Sequence, residues 1–192
     1  MKNPDEFPTI TTERLVLREI TEADHEWYLK HFSLPEIVDS TGFPAPKDMA
    51  AAREELESYI MKLFRESTGI RWGITFKGSD ELIGSCGFYK WEHDPHRRIE
   101  TGYDLHPAHW GKGIMKEAMT AIIDYGFENM GLNRITLLAV SFNKRSIALA
   151  RRVGFVREGT LRENAFFRDG FYDDEYFAML RSDWEKLRGR EK

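Results

Sequence analysis

Leu105-His-Pro-Ala-His-Trp-Gly-Lys-Gly-Ile-Met-Lys-Glu117 is the stretch that decides the reading of this chain. Before it, residues alternate. Ile99, Thr101, Tyr103 and Leu105 fall on one face, and Glu100, Gly102, Asp104 and His106 on the other, as in a β-strand. After it, Ile114, Ala118, Ile122 and Tyr125 recur at helical spacing, so a helix is expected over Gly111–Gly131. The Gly-x-Gly pair, Gly111 and Gly113, therefore joins a strand to a helix N-terminus. Such a terminus carries unpaired N–H groups and about half a positive charge, a setting that favours phosphate. Glycine also removes the Cβ atoms that would hold a pyrophosphate away from the backbone. Two common phosphate loops are excluded. Lys112 is followed by Gly113 rather than Ser or Thr, and the four-residue gap of a Walker loop is missing. The dinucleotide fingerprint needs a third glycine at the position held by Lys116.

The elements on either side follow from similar signals. Residues 14–18, Arg-Leu-Val-Leu-Arg, alternate as a strand, and Thr21 caps a helix expected to run to about Phe32. Pro35, Gly42, Pro44 and Pro46 make 33–47 an irregular loop by composition. Residues 47–67 are rich in Ala, Glu, Leu and Met and predict a helix. Trp72, Ile74 and Phe76 alternate, Gly78-Ser-Asp80 turns the chain, and 82–89 returns as the second strand of a hairpin. Ile135–Val140 is almost wholly apolar, the mark of a strand buried on both faces. Asn143 caps a short helix that Gly154 ends, with Phe155 packing back. Arg168-Asp-Gly170 predicts the turn of a last hairpin. The order β, α, α, β, β, β, α, β, α, β, β predicts one α/β (α+β) domain, with a mixed, mostly antiparallel sheet of about seven strands flanked by about four helices.

Composition sets outer bounds. The chain has 192 residues, 28 Lys plus Arg against 32 Asp plus Glu, and a formal charge of -4. That balance speaks against a nucleic-acid binder or a polybasic membrane-surface protein. No run approaches 18 apolar residues, and MKNPDEFPTI lacks the apolar core of a signal peptide. Cys86 is the one cysteine, so no intrachain disulfide forms. The expectation is a soluble cytoplasmic protein. His93-x-x-His96 and His106-x-x-His109 lie at opposite ends of one strand, about 25–30 Å apart at about 3.3 Å per residue, so no metal site is expected from them.

The glycine turn resembles motif A of the GCN5-related N-acetyltransferases (GNAT), R/Q-x-x-G-x-G/A. Both glycines are kept, and Ala108 stands in the leading position. Thr12-Glu-Arg-Leu-Val-Leu-Arg18 is similar to the opening of the branch related to ribosomal-protein N-terminal acetyltransferases, the RimJ/RimL type. Asn143-Lys-Arg-Ser146 followed by Gly154-Phe155 is similar to its second cofactor motif, and Asp169-Gly-Phe-Tyr-Asp173 to its C-terminal hairpin. The resemblance covers about residues 9–184, leaving 1–8 and 185–192 as extensions. It implies transfer of an acetyl group from acetyl-CoA to a primary amine, a protein N-terminus or a small molecule, directly in a ternary complex. A non-catalytic acyl-CoA-binding module is the alternative. A homodimer is a further implication.

The resemblance also implies site residues. The N–H groups around Trp110, Gly111, Lys112, Gly113, Ile114 and Met115 would hold the pyrophosphate, with Asn143 as a further cofactor contact. Glu100 would take the proton of the amine, and Asp104, nearer the cofactor end, ranks below it. A backbone N–H of Leu105 or His106 would polarise the thioester. Relatives carry a tyrosine for the leaving thiolate where this chain has Ala150. Ser146 is the candidate near the thiol, and Tyr103, facing away from Glu100 by strand parity, reads as core. Loop 33–47 and hairpin 164–174 would bound the acceptor, with Trp27, Phe43, Phe166 and Phe171 lining it and Asp173, Asp174 and Glu175 attracting a cationic amine.

Overall fold

The apolar run beginning at Ile135 lies at the heart of the sheet. In the computed structural model, which describes residues 6–167 and 170–189, it forms a strand with a neighbour on each side. The elements are β1 (Ile10–Thr11), β2 (Leu15–Glu19), α1 (His25–Phe32), α2 (Pro35–Thr41), α3 (Met49–Leu56), α4 (Lys62–Arg65), β3 (Ile70–Phe76), β4 (Gly84–Glu92), β5 (Arg98–Leu105), α5 (Ile114–Glu128), β6 (Arg134–Val140), α6 (Lys144–Val153), β7 (Val156–Phe167), β8 (Gly170–Leu180) and α7 (Arg181–Gly189). The sheet has eight strands in the order β1-β2-β3-β4-β5-β6-β8-β7. The strand beyond the expected seven is the two-residue β1, which pairs with β2. Every neighbouring pair is antiparallel except β5–β6.

Two apolar clusters hold the layers together. The larger packs Leu15, Trp72, Phe88 and Ile135 of the sheet against Ile114, Ala118, Ile122 and Phe127 of α5. The smaller lies on the opposite face, where Tyr28 of α1 and Ala52 and Leu56 of α3 meet Ile20 and Leu82. The sheet is thus covered on both sides in its first half, where α1 and α3 lie opposite α5.

Two helices lie outside the sequence expectation: α7, after the last expected strand, and α2. Residues 33–47 contain α2 rather than being irregular throughout. The residues read as breakers are its boundaries: Pro35 stands at the first helical position, and Gly42 closes the helix in the left-handed conformation at φ 78°. Proline is preorganised for a helix start and glycine for a helix stop, so both act here as caps. The helix expected over 47–67 is present as α3 and α4, joined by a π-helical turn at Glu57–Met61. The last hairpin is present in the pairing of β7 with β8; of its expected turn, Arg168 and Asp169 lie outside the described residues.

Candidate active site

The site begins where two strands part. Parallel β5 and β6 pair only through Arg98–Arg134, Ile99–Ile135 and Glu100–Thr136. Both continue, to Leu105 and Val140, without further pairing to each other. The Thr136 hydroxyl donates to the Ile99 carbonyl at 3.1 Å near the closed end. Beyond it lies an opening edged by backbone. On its other side β5 is zipped to β4, and the His106 N–H donates to the Ile83 carbonyl at 2.8 Å. Ladder directions alternate along an antiparallel pair, so the Leu105 N–H turns toward β6 and the opening. Of the two residues proposed to polarise a carbonyl, Leu105 faces the gap. The His106 N–H is already engaged with β4. The Leu105 carbonyl accepts from the Trp110 indole N–H at 2.7 Å, which fixes the start of the glycine turn.

Gly111 and Gly113 sit at φ 73° and 75°, a region that L side chains rarely adopt. A Cβ on Gly111 would meet no atom within 4 Å, and one on Gly113 only an Arg14 guanidinium nitrogen at 3.6 Å. Packing therefore does not demand glycine at either position; the left-handed turn does. No side chain caps α5, so its first N–H groups face outward unclaimed by a cap. The side chains of Ile114 and Met115 are buried in the core, which leaves their backbone as the part able to hold a ligand. From β2's approach, Arg14 donates to the Lys112 carbonyl at 3.1 Å and pairs with Glu117 at 2.6 Å. Glu117 also accepts from the Thr12 hydroxyl at 2.6 Å. Burial alone would raise its pKa, but the Thr12 and Arg14 hydrogen bonds hold it below the usual glutamate value. Sequence reasoning missed Arg14 as a brace of this turn, since its partner lies 103 residues away.

The second wall is the start of α6. The Asn143 side chain accepts from the Ser146 N–H at 3.0 Å and caps the helix, and its Nδ2 donates to the Ser40 carbonyl of α2 at 3.4 Å. Arg145 stacks its guanidinium over the Trp110 ring at 4.3 Å, linking α6 to the glycine turn. Between these parts and α2 lies a cavity of about 390 Å³, lined by Glu36, Asp39 and Ser40, by Phe142 to Arg145, and by Trp110.

The titratable candidates separate clearly. Glu100 stands where β5 and β6 are last paired, 25% exposed, and accepts from Lys90 Nζ at 3.0 and 3.1 Å. Asp104 is buried. It accepts from the Ser85 N–H at 3.1 Å, the Ser85 hydroxyl at 2.5 Å and Arg71 at 2.5 Å, and lies 2.7 Å from His31 Nε2. Burial pushes its pKa up, but His31, the Arg71 charge and Ser85 together pull it down to about 2. A carboxylate so fully occupied ties α1 to the sheet and is no base for an amine. Burial pushes the Cys86 thiol up to about 12, which removes it as a nucleophile.

Tyr103 has a partner that the sequence reading did not name. Its ring packs on the larger core cluster, as strand parity indicated. Its hydroxyl, however, lies 2.7 Å from the Ser146 hydroxyl on α6. Ala150, where the resemblance implied a tyrosine, is buried. The acidic stretch proposed to attract an amine is committed elsewhere. Asp173 accepts from the Glu163 N–H, Asp174 is buried and bonded to Asn164, and Glu175 pairs with Arg157. Trp27 is half-buried and stacks on His31 at 4.9 Å, and Phe43, Phe166 and Phe171 are exposed. Among the described residues, no three His, Cys, Asp or Glu side chains gather as a metal site, and no helix is long and apolar enough to cross a membrane.

Comparison with known proteins adds an independent line. Residues 14–156 match the model of the Acetyltransferase (GNAT) domain. The chain is 34% identical over 175 residues to the uncharacterized N-acetyltransferase YoaA of Bacillus subtilis, covering 91% of this chain and 98% of that protein. It is 27% identical over 183 residues to the [Ribosomal protein uS5]-alanine N-acetyltransferase of Escherichia coli, covering 91% and 92%. In fold it is similar to the spermidine N-acetyltransferase of Vibrio cholerae solved in complex with CoA and spermine, with a TM-score of 0.78, 23% identity, and 89% and 98% of the two chains covered.

Proposed function

The chain belongs to the GNAT acetyltransferase family and is an acyltransferase, and we propose that it carries an acetyl group from acetyl-CoA to a primary amine by direct attack in a ternary complex. The observation that carries this reading is the opening between β5 and β6, with a left-handed double-glycine turn and an uncapped helix N-terminus at its mouth. A thioester arm fits a gap edged by backbone, and its pyrophosphate fits the N–H groups of residues 110–115. Arg145, stacked on Trp110, brings positive charge to the turn that lacks a leading Arg or Gln at Ala108.

The chemistry then divides among this chain's residues. The Leu105 N–H donates to the thioester oxygen and stabilises the charge that develops there. Glu100 takes the amine proton, directly or through a water, once Lys90 yields its contact. Asn143 holds the α6 start against Ser40 beside the arm, and Ser146 stands by the sulfur. Of the cavity's walls, the side of Trp110, Asn143 and Arg145 serves the cofactor, and the α2 side receives the acceptor, whose protonated amine is drawn by the charge of Glu36. A protein N-terminus and a small polyamine both suit that chemistry. The relatives named above, one acting on a ribosomal protein and one on spermidine, support this range.

The test is direct. The protein is mixed with acetyl-CoA and a panel of amines that includes peptides with free N-termini, and free thiol is followed. Thiol release that depends on one amine class, with CoA binding seen by calorimetry, is expected. Absence of both would overturn the proposal.

A further inference from the structure

The position where the family resemblance implies a tyrosine for the leaving sulfur is alanine in this chain, at Ala150. The structure puts a different phenol on β5, past its last pair with β6, with its hydroxyl on α6. Tyr103 lies two residues before Leu105 on β5, beyond the last β5–β6 pair at Glu100–Thr136. Its side chain projects to the face opposite Asp104 and reaches Ser146 in the first turn of α6. The contact of 2.7 Å therefore bridges β5 and α6 across the region where β5 and β6 have separated. A carbonyl held by the Leu105 N–H has its sulfur one bond away, in that same region.

We propose that Tyr103 is the catalytic hydrogen-bond donor to the leaving sulfur, and that Ser146 positions it by donating to its phenolic oxygen. This deepens the acyl-transfer reading above and rests on it. In the step, the amine nitrogen forms its bond to the carbonyl carbon, and the carbon–sulfur bond breaks with its electron pair passing to sulfur. The Tyr103 O–H donates to that sulfur as the charge appears. The proton lost by the amine leaves through Glu100 to water, and the thiolate regains one from water, so the protons balance.

Magnitude decides between donating a hydrogen bond and transferring the proton outright. Burial pushes the Tyr103 phenol up to about 12, opposed by its Ser146 hydrogen bond. An ordinary thiol titrates near 8.5, so full transfer from this phenol runs uphill by about 3.5 pH units. The phenol instead stays protonated and remains a donor at any working pH. The two hydroxyls also divide the labour. Ser146 can give its proton to the Tyr103 oxygen, leaving the phenolic hydrogen free to point at sulfur.

The experiment compares the full-length wild type with Tyr103→Phe, Ser146→Ala and the double variant. The Tyr103→Phe enzyme should lose about 100-fold in kcat, with KM for the amine and Kd for CoA within about twofold. The second readout is the thiol of CoA itself, titrated in the binary complex by thiolate absorbance. A donated hydrogen bond favours the charged form, so the bound thiol should titrate about one to two units higher in Tyr103→Phe than in wild type. A merely structural tyrosine would not move that titration. Ser146→Ala should lose less than Tyr103→Phe, and the double variant should be no worse than Tyr103→Phe, as expected when one residue acts through the other. Equal kcat and equal thiol titration in wild type and Tyr103→Phe would overturn the proposal. Should Tyr103→Phe not fold, Ser146→Ala decides by the same two readouts. A wild type that neither binds CoA nor releases thiol would overturn the acyl-transfer reading itself, a result distinguishable from either.

Discussion

Replacing Gly113 by alanine separates two reasons for a glycine. The residue caps α5 at φ 75°, and a Cβ there would meet only the Arg14 guanidinium at 3.6 Å, ordinary contact with a flexible group. No steric clash adds to the cost, so the loss in the free protein is the left-handed penalty alone, about 1–2 kcal/mol. For a chain of this size that lowers Tm by about 2–8 °C. The domain should stay folded. Ligand binding should suffer separately, because the new methyl group stands where a pyrophosphate would approach the N–H groups. Hydrogen bonds to a charged partner are worth about 1.5–3 kcal/mol each, so losing one weakens CoA about 10- to 100-fold. Differential scanning calorimetry reads the first effect and isothermal titration with CoA the second. S-acetylpantetheine, which lacks the pyrophosphate, is the control ligand and should bind both proteins equally. If Tm falls as expected while CoA affinity does not change, the glycine serves backbone geometry only, and the phosphate cradle is refuted.

Three further outcomes follow. Glu100→Gln keeps the size of the side chain and removes its basicity; kcat should fall about 100-fold with CoA affinity unchanged, read by thiol release and calorimetry. Arg145→Ala removes the guanidinium stacked on Trp110, and CoA should bind about 10-fold more weakly at low salt, the gap narrowing as ionic strength rises. Asp104→Asn leaves Arg71 and His31 facing a neutral group in a buried place and should cost about 3–5 kcal/mol in urea unfolding. Its pH dependence has a definite sign. The folded carboxylate titrates at about 2 and an unfolded one near 3.9. Its contribution is complete above about pH 4 and is lost as pH falls toward 2, so the acid slope of stability in that window should be shallower in Asp104→Asn.

Local chemistry was readable from the chain, and contacts between distant segments were not. The Asn143 cap, the Gly154 stop and the double-glycine turn each depend on residues within a few positions, and each stands where expected. Strand parity placed Tyr103 opposite Glu100, yet its partner Ser146 lies 43 residues on, and no local rule names it. The acidic segment 173–175 looked free because Arg157, Asn164 and Glu163 meet it only after the β7–β8 hairpin closes. The loop expected at 33–47 failed for another reason. Proline and glycine punctuate helices as well as interrupt them, and with seven residues between the caps, composition alone did not distinguish the two uses.

The opening itself has a physical explanation in the strands outside it. Held over only three pairs, β5 and β6 would be free to drift together or apart if nothing else fixed them. But β4 zips the far side of β5 from Gly84–Leu105 to Glu92–Arg98, and β8 zips the far side of β6 over all seven of its residues. Each strand is thus rigid from behind, and the gap between them persists without collapsing. The cost is two strips of backbone with no ladder partner in each other, and buried backbone groups must be satisfied somehow. Trp110 satisfies the Leu105 carbonyl, and the Tyr103–Ser146 pair bridges farther in. What still faces the gap suits an extended ligand with amides of its own, much as a free sheet edge suits a peptide. The proposed donor's arm carries two such amides. On the proposed reading, the same parting of strands binds the arm, aims the Leu105 N–H at the carbonyl, and leaves Tyr103 at the sulfur. Closing the gap by design, for instance by strengthening β5–β6 pairing beyond Thr136, should therefore raise stability while abolishing CoA binding and activity together.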